Sequence, residues 1–434
     1  MSPLSRRFRL RCAAAACAAL FALAGCQRKG IEELVSSELF SLSMGKLEDQ
    51  VDLFQFDAAM VERPTTIAMR DGWFYIANGG ASKIMVFSSY GDLLFLLYNP
   101  QTNPAPTILG PADTSGPAMP AGSGAPTAAA TGAATPADPT IASTRGYEAY
   151  PFTDIGRIAV ASDRTLYVED AVPEAKEVKD ADHGVIRSRV ILRFDRRGRA
   201  LPPLGEEGIG GSPFPYVSGL HVTARDQLVV VCRLPKSWEI FWFSSDGVPL
   251  YQVEVSSSNL PSKPVAGVTP VLVNVLPDPV APLLYLVINS YREAAETRSA
   301  GPPPSDAVSS RVYRLDLRTQ QYAPGRVELP ANPPHRTKEG LKTTEIPSPP
   351  GDLLGVSRAG NFYVLDYTDT NLYTLQIVDP TGRVRAQRRV VIEDSELSFE
   401  DIHLSSTGII YGLLADKSRA RVAWWRSDLL LKGD

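Results

Sequence analysis

The sequence predicts an all-β fold, a six-bladed β-propeller of four-stranded antiparallel blades, and three observations predict it. Short runs rich in Val, Ile, Tyr and Phe recur without a helical period, in units of about 40 to 50 residues. An aromatic residue recurs in the second strand of the unit as Tyr75, Tyr167, Tyr285, Tyr363 and Tyr411, with Val229 in its place in the third copy. A glycine stands four residues past the last apolar residue of the third strand in four copies, as Phe87 and Gly91, Phe194 and Gly198, Phe243 and Gly247, Val378 and Gly382. A tight hairpin needs one residue at positive φ, which glycine adopts at little cost.

The copies follow in order. Residues 67–69, 73–77 and 84–87 form the first, and 158–160, 166–168 and 190–194 the second. Residues 220–222, 228–232 and 240–243 form the third. The fourth and least regular is 271–276, 283–288 and 312–315. The fifth is 354–356, 362–365 and 375–378, and the sixth is 402–404, 409–413 and 422–425. Beyond the glycine turn, residues 93–97 and 248–253 read as fourth strands. Thr319 and Leu429 break the glycine column in copies four and six. A single blade exposes two apolar faces, so it is stable only between neighbours in a ring.

Closure of that ring is the decisive point. The last copy ends near Trp425 and the sequence stops at Asp434, which leaves little room for a fourth strand. Residues 39–44 form an orphan strand ahead of copy one. They are expected to complete blade six as its outer strand, covering an edge that would otherwise invite aggregation. Two segments fall outside the repeat. Residues 99–144, dominated by Pro, Ala, Gly and Thr, bury too little apolar surface to offset their conformational entropy and are expected to be disordered. Residues 330–351 form a Pro-rich insertion between blades four and five.

The amino-terminal end is organised differently. Arg6, Arg7, Arg9 and Arg11 precede an apolar run, 12–23, and then Ala24 and Gly25. That pattern reads as a secretory signal over 1–25, since the run falls short of the roughly 20 residues a spanning helix needs. Leu23, Ala24, Gly25 and Cys26 resemble the lipobox of bacterial lipoproteins. The resemblance implies cleavage before Cys26, lipid on its sulfur, and a tether over 26–36 ahead of the propeller domain at 37–434. It also implies a third acyl chain on the new amino terminus, and two or more chains anchor lastingly where one does not. Gln27 resembles an outer-membrane sorting residue. The expected location is therefore the bacterial cell envelope, lipid-anchored at the outer membrane.

Composition narrows the partners. Removing the signal's four arginines takes the formal charge from −4 to about −8. That acidity argues against nucleic acid, which needs a basic surface. Cys12 and Cys17 leave with the signal and Cys26 carries lipid, so Cys232 alone remains, inside an apolar run and expected to be a buried free thiol.

Residues 74–87, Phe-Tyr-Ile-Ala-Asn-Gly-Gly-Ala-Ser-Lys-Ile-Met-Val-Phe, resemble the NHL repeat, in which a strand ending in Ala-Asp is followed by a short polar loop, Arg/Lys-Ile and a strand ending in Phe. Residues 362–378 match more loosely, with Asp366 in the Asp column. The likeness covers about two blades by residue and the others by spacing. It implies a propeller that serves as a protein-binding scaffold, a polymer-associated module or, less often, a metal-dependent hydrolase or lyase.

Chemistry on such a scaffold needs ligands converging on the central channel. The position just past the second strand holds Asn78, Asp170 and Asp366, but also Cys232, Ile288 and Leu414, and Asp or Asn there more often bonds to turn amides than to a metal. Of the four histidines, His183 and His335 fall in loops. His221 and His403 each follow the first apolar residue of a first strand, in the opposite blades three and six, where two imidazoles would face the channel. Trp238, Trp242, Trp424 and Trp425 lie in third-strand runs and are expected to pack between blades. No HExxH, GxSxG, SxxK, CxxC or phosphate-loop pattern occurs. The expected function is a membrane-anchored, non-catalytic scaffold with a protein or peptide partner and no cofactor. The alternatives are a metal-dependent hydrolase or lyase with a channel site, and an outer-membrane protein assembly factor.

Overall fold

The computed structural model describes residues 31–55, 61–62, 64–110, 145–205, 211–262, 266–292, 307–330, 335–339, 342–346, 351–369, 372–392 and 397–431. The signal, the lipobox and Cys26 lie outside the described residues, as do 111–144 of the first insertion.

Six antiparallel sheets carry the repeat. Their first strands are Thr65–Arg70, Ile158–Val160, Val217–Val222, Val268–Pro277, Asp352–Val356 and Phe399–Leu404. Each pairs antiparallel with the next strand in sequence, a hairpin away. The outer strands of blades one to three are Leu93–Tyr98, Ala200–Leu204 and Pro249–Ser256. Blade four's is split into Gln321–Tyr322 and Val327–Glu328, both on Ala307–Asp316, and blade five's is Val384–Val391.

Blade six is completed from the other end of the chain. Ser37–Ser43 runs antiparallel to Arg419–Trp425, with Ser37 opposite Trp424 and Ser43 opposite Arg419. The chain beyond Trp425 turns into a short 3-10 helix, Ser427–Leu431, instead of a strand. The clasp therefore forms where the orphan strand and the missing fourth strand place it.

The core is divided among the seams. Six clusters of buried apolar side chains occupy the interfaces between blades six and one, one and two, two and three, three and four, four and five, and five and six. Strand Leu228–Arg233 shows the reason for the unbroken apolar runs. Leu228, Val230 and Cys232 face the seam with blade two, whereas Val229 and Val231 face the seam with blade four. A strand covered on both faces has no polar side to present. Cys232 is a free, fully buried thiol, and burial pushes its pKa well up.

The glycine column has the backbone it requires. Gly91, Gly198, Gly247 and Gly382 have φ of +84°, +77°, +89° and +92°. In blade four, where the column is broken, Gln320 takes the positive φ at +55°, one residue later.

Five additions were not visible as strands in the sequence, the first a two-residue ladder of Phe54–Gln55 on Val61–Glu62. Glu33–Leu34 lies parallel on the outer strand of blade five, with Arg388 paired to Glu32 at 3.0 Å. Gly146–Ala149 lies parallel on the outer strand of blade one. Val178–Asp180 and Val185–Arg187 form a hairpin thrown out by blade two, and His335–Glu339 with Lys342–Ile346 form another inside the second insertion. The start of the first insertion also packs on the disc. The Glu48 carboxylate accepts the amides of Thr107, Ile108 and Leu109, and the Asn99 side chain donates to the Phe152 carbonyl at 2.9 Å.

Candidate ligand channel

The register of the first two strands sorts the channel lining into levels. Opposite the aromatic position of each second strand, the first strands place Ala68, Ala159, His221, Leu276, Gly355 and His403, in blades one to six. One level along, opposite Ala77, Val231, Val287, Leu365 and Leu413, stand Thr66, Gly219, Asn274, Asp352 and Asp401. Arg157 completes that level in blade two, its carbonyl accepting the Glu169 amide at 2.8 Å. One ring holds three small residues, Leu276 and two imidazoles, and the next is polar except for Gly219. A cavity of about 510 Å³ opens along the axis, lined at these levels by Thr66, Arg157, Gly219, His221, Asn274 and His403.

His403 is held in a network that closes the ring. Its Nε2 lies 2.8 Å from Asp401 Oδ2, the same oxygen that accepts the Thr66 hydroxyl and the Ile67 amide of blade one, each at 2.8 Å. The ring stacks on Tyr411 at a centroid distance of 5.9 Å. Burial pushes the Asp401 carboxyl up, but the His403 imidazole and the donors from Thr66 and Ile67 outweigh it, and the net direction is down.

His221 is in the opposite condition. The space a Gly219 side chain would fill is taken by the imidazole, since a Cβ there would stand 2.6 Å from His221 Nε2. That nitrogen is sealed from solvent and has no hydrogen-bond partner. Burial holds the His221 pKa down, and the nearby charges of Arg157 and His403 lower it further, to about 4. The two histidines, from opposite blades, both line the cavity.

The column past the second strand does different work. Asn78 is fully buried, accepts the Asp52 amide, and donates to the Asp52 carbonyl and the Thr65 hydroxyl, each at 2.9 Å. Asp170 accepts the amides of Thr153, Asp154 and Ala171, and burial nonetheless pushes its carboxyl up. Asp366 is buried. Asn78 and Asp170 thus bind the segments that lead into their own blades, away from His221 and His403. Among the described residues, no group of three or more His, Cys, Asp or Glu side chains gathers as metal ligands would.

The other two predicted histidines lie elsewhere. His183 sits in the turn of blade two's hairpin, where Nδ1 meets Asp180 at 3.0 Å and Nε2 meets Glu254 of blade three at 3.5 Å. Arg187 joins Asp180 at 2.7 Å to Glu239 at 3.0 Å, so the hairpin is tied to blade three by charge. His335 opens the hairpin of the second insertion. Four of the five tryptophans were expected in seams and lie there: Trp238 and Trp242 between blades three and four, Trp425 between five and six, and Trp424 at the edge of six and one. Thr66, Arg157, Asn274 and Asp401 were not among the sequence candidates. The signal for them was one level back, two residues before the position opposite the aromatic.

No family model matches the chain, and no curated protein matches it. Solved structures similar in backbone course include a calcium-binding protein, regucalcin, from Agrobacterium tumefaciens. It shares 8% identity over 91% of this chain and 95% of its own, with a TM-score of 0.37. The Kuenenia stuttgartiensis hydrazine synthase shares 10% identity over 82% of this chain and 95% of its own, also at 0.37. A protein of unknown function from Bacteroides caccae shares 12% identity over 76% of this chain and 84% of its own, at 0.34.

Proposed function

We propose that this chain is a lipoprotein of the bacterial envelope, fixed to the outer membrane through lipid on Cys26, whose propeller serves as a binding scaffold for a protein or peptide. The observation that carries the reading is where the amino-terminal segment is fastened. Glu33–Leu34 and Ser37–Ser43 run along the outer rim of blades five and six. A tether arriving there meets the rim, whereas the cavity along the axis is lined largely by the first strands of the blades. Loops on a stiff frame are where binding residues are usually placed. The acyl chains supply affinity for the bilayer, and the ring supplies rigidity.

The test is a paired labelling and capture. Cells fed an alkyne fatty acid should label the wild-type protein and leave Cys26→Ser unlabelled and released from the membrane fraction. Crosslinking of intact envelopes should then recover the same partner protein in replicate preparations. Equal labelling of Cys26→Ser sinks the anchor, and crosslinking that yields no reproducible partner sinks the scaffold.

A further inference from the structure

We propose that the axial channel binds an anion, a carboxylate or phosphate group seated between Arg157 of blade two, His221 of blade three and His403 of blade six. This inference does not depend on the lipid anchor.

The first ground is a guanidinium held in no ion pair among the described residues, although the Glu169 carboxylate, which accepts the Arg157 amide at 2.9 Å, feels its charge. Arg157 donates from Nε to the Val217 carbonyl at 3.3 Å, and among the described residues no carboxylate lies within ion-pairing distance of its guanidinium. The acids of the polar level and of the cavity lining are already engaged. Asp401 holds His403, Thr66 and the Ile67 amide. Asp278 accepts the amides of Val280 and Ala281 and the Tyr285 hydroxyl, and Asp71 faces Arg70 at 3.5 Å. Asp352 shares the polar level but is exposed and does not line the cavity.

The second ground is the buried imidazole nitrogen without a partner. A polar atom in that state costs on the order of 1–3 kcal/mol unless something hydrogen-bonds to it. His221 Nε2 lies over Gly219 on the channel lining, and both residues border the cavity. An anion entering between Arg157 and His403 would give that ring an acceptor once the imidazole turns off Gly219. It would also favour its protonated form, which burial and the Arg157 guanidinium now oppose.

The third ground is room. Ala68, Ala159, Gly355 and Gly219 carry little or no side chain at the two levels, and the resulting 510 Å³ falls within the range of small-molecule sites. A guanidinium and imidazoles are the groups that recognise carboxylate and phosphate by charge-assisted hydrogen bonds.

The chain has four histidines, so imidazole NMR of the full chain resolves the question. His221→Gln and His403→Gln assign the two channel signals. Titration with inorganic phosphate, with succinate and with matched sodium chloride should shift both signals saturably for one of the first two and not for the chloride control, leaving His183 unmoved. Response to phosphate alone or to succinate alone identifies the source. Arg157→Gln should weaken binding about tenfold or more, as expected for loss of a charged hydrogen-bond donor, and Arg157→Lys should restore part of it. Should Arg157→Gln fail to fold, the wild-type protein still decides through the rise of its melting temperature with the same anions. Signals that move no further with either anion than with chloride overturn the proposal. Binding by a folded Arg157→Gln equal to wild type also overturns it.

Discussion

His221 makes the propeller sensitive to acid in a calculable direction. Its pKa is about 4 in the folded chain against an ordinary value of 6.5. Between those values the unfolded chain takes up a proton that the folded chain refuses, so stability is full above pH 6.5 and falls as the pH drops towards 4. The effect is on the order of 3 kcal/mol at most. Buried Glu169 and Asp170, whose carboxyls are pushed up by burial, work in the opposite sense, so the histidine must be read as a difference. In denaturant melts across pH 7 to 4, wild type should lose stability relative to His221→Gln as the pH falls. Parallel curves would show that His221 does not titrate as described. At this scale legibility followed distance along the chain. The glycine turns were readable because positive φ is a local demand, and the histidine pair because strand register places it. The bond between Thr66 and Asp401 was not, because its partners stand 335 residues apart and meet only when the ring closes.

Strands were legible in proportion to how much of their burial is written in their own side chains. Ser37–Ser43 could be anticipated because Phe40 and Leu42, 8% and 5% exposed, need a seam to enter. Burying two such side chains contributes roughly 3 to 6 kcal/mol, against a total stability of about 5–15 kcal/mol for a typical domain. Deleting residues 36–46 should therefore lower the melting temperature sharply, read by circular dichroism, and an unchanged transition would refute the clasp. The pairings of Glu33–Leu34 and Gly146–Ala149 left no mark in the sequence. Two or four residues cannot show a period, and both add to edges already formed by other strands. Blade two's hairpin was hidden by its charge, since Asp180, His183 and Arg187 read as a solvated loop until Glu239 and Glu254 of blade three come beside them.

For the whole molecule, the six seams are the unit of stability. Every blade belongs to two apolar clusters, and the first and last meet through Phe40, Phe74, Tyr411 and Leu413. With no seam that can be opened without exposing both neighbours, calorimetry should show one cooperative transition, its van't Hoff and calorimetric enthalpies agreeing. Two resolved transitions would mean that part of the ring folds alone. The ring and its closure were legible as a whole because the repeat states them six times. The channel's chemistry was less so, because it depends on which residue of each first strand reaches the axis.

The stitched rim also decides how the disc bears traction. A tug arriving from the amino end meets first the two rungs by which Glu33 and Leu34 lie against Arg389 and Val390, and only then the longer ladder from Ser37 to Ser43. That ladder grips the last strand of the chain, so dragging on the beginning of the polypeptide tensions its finish as well.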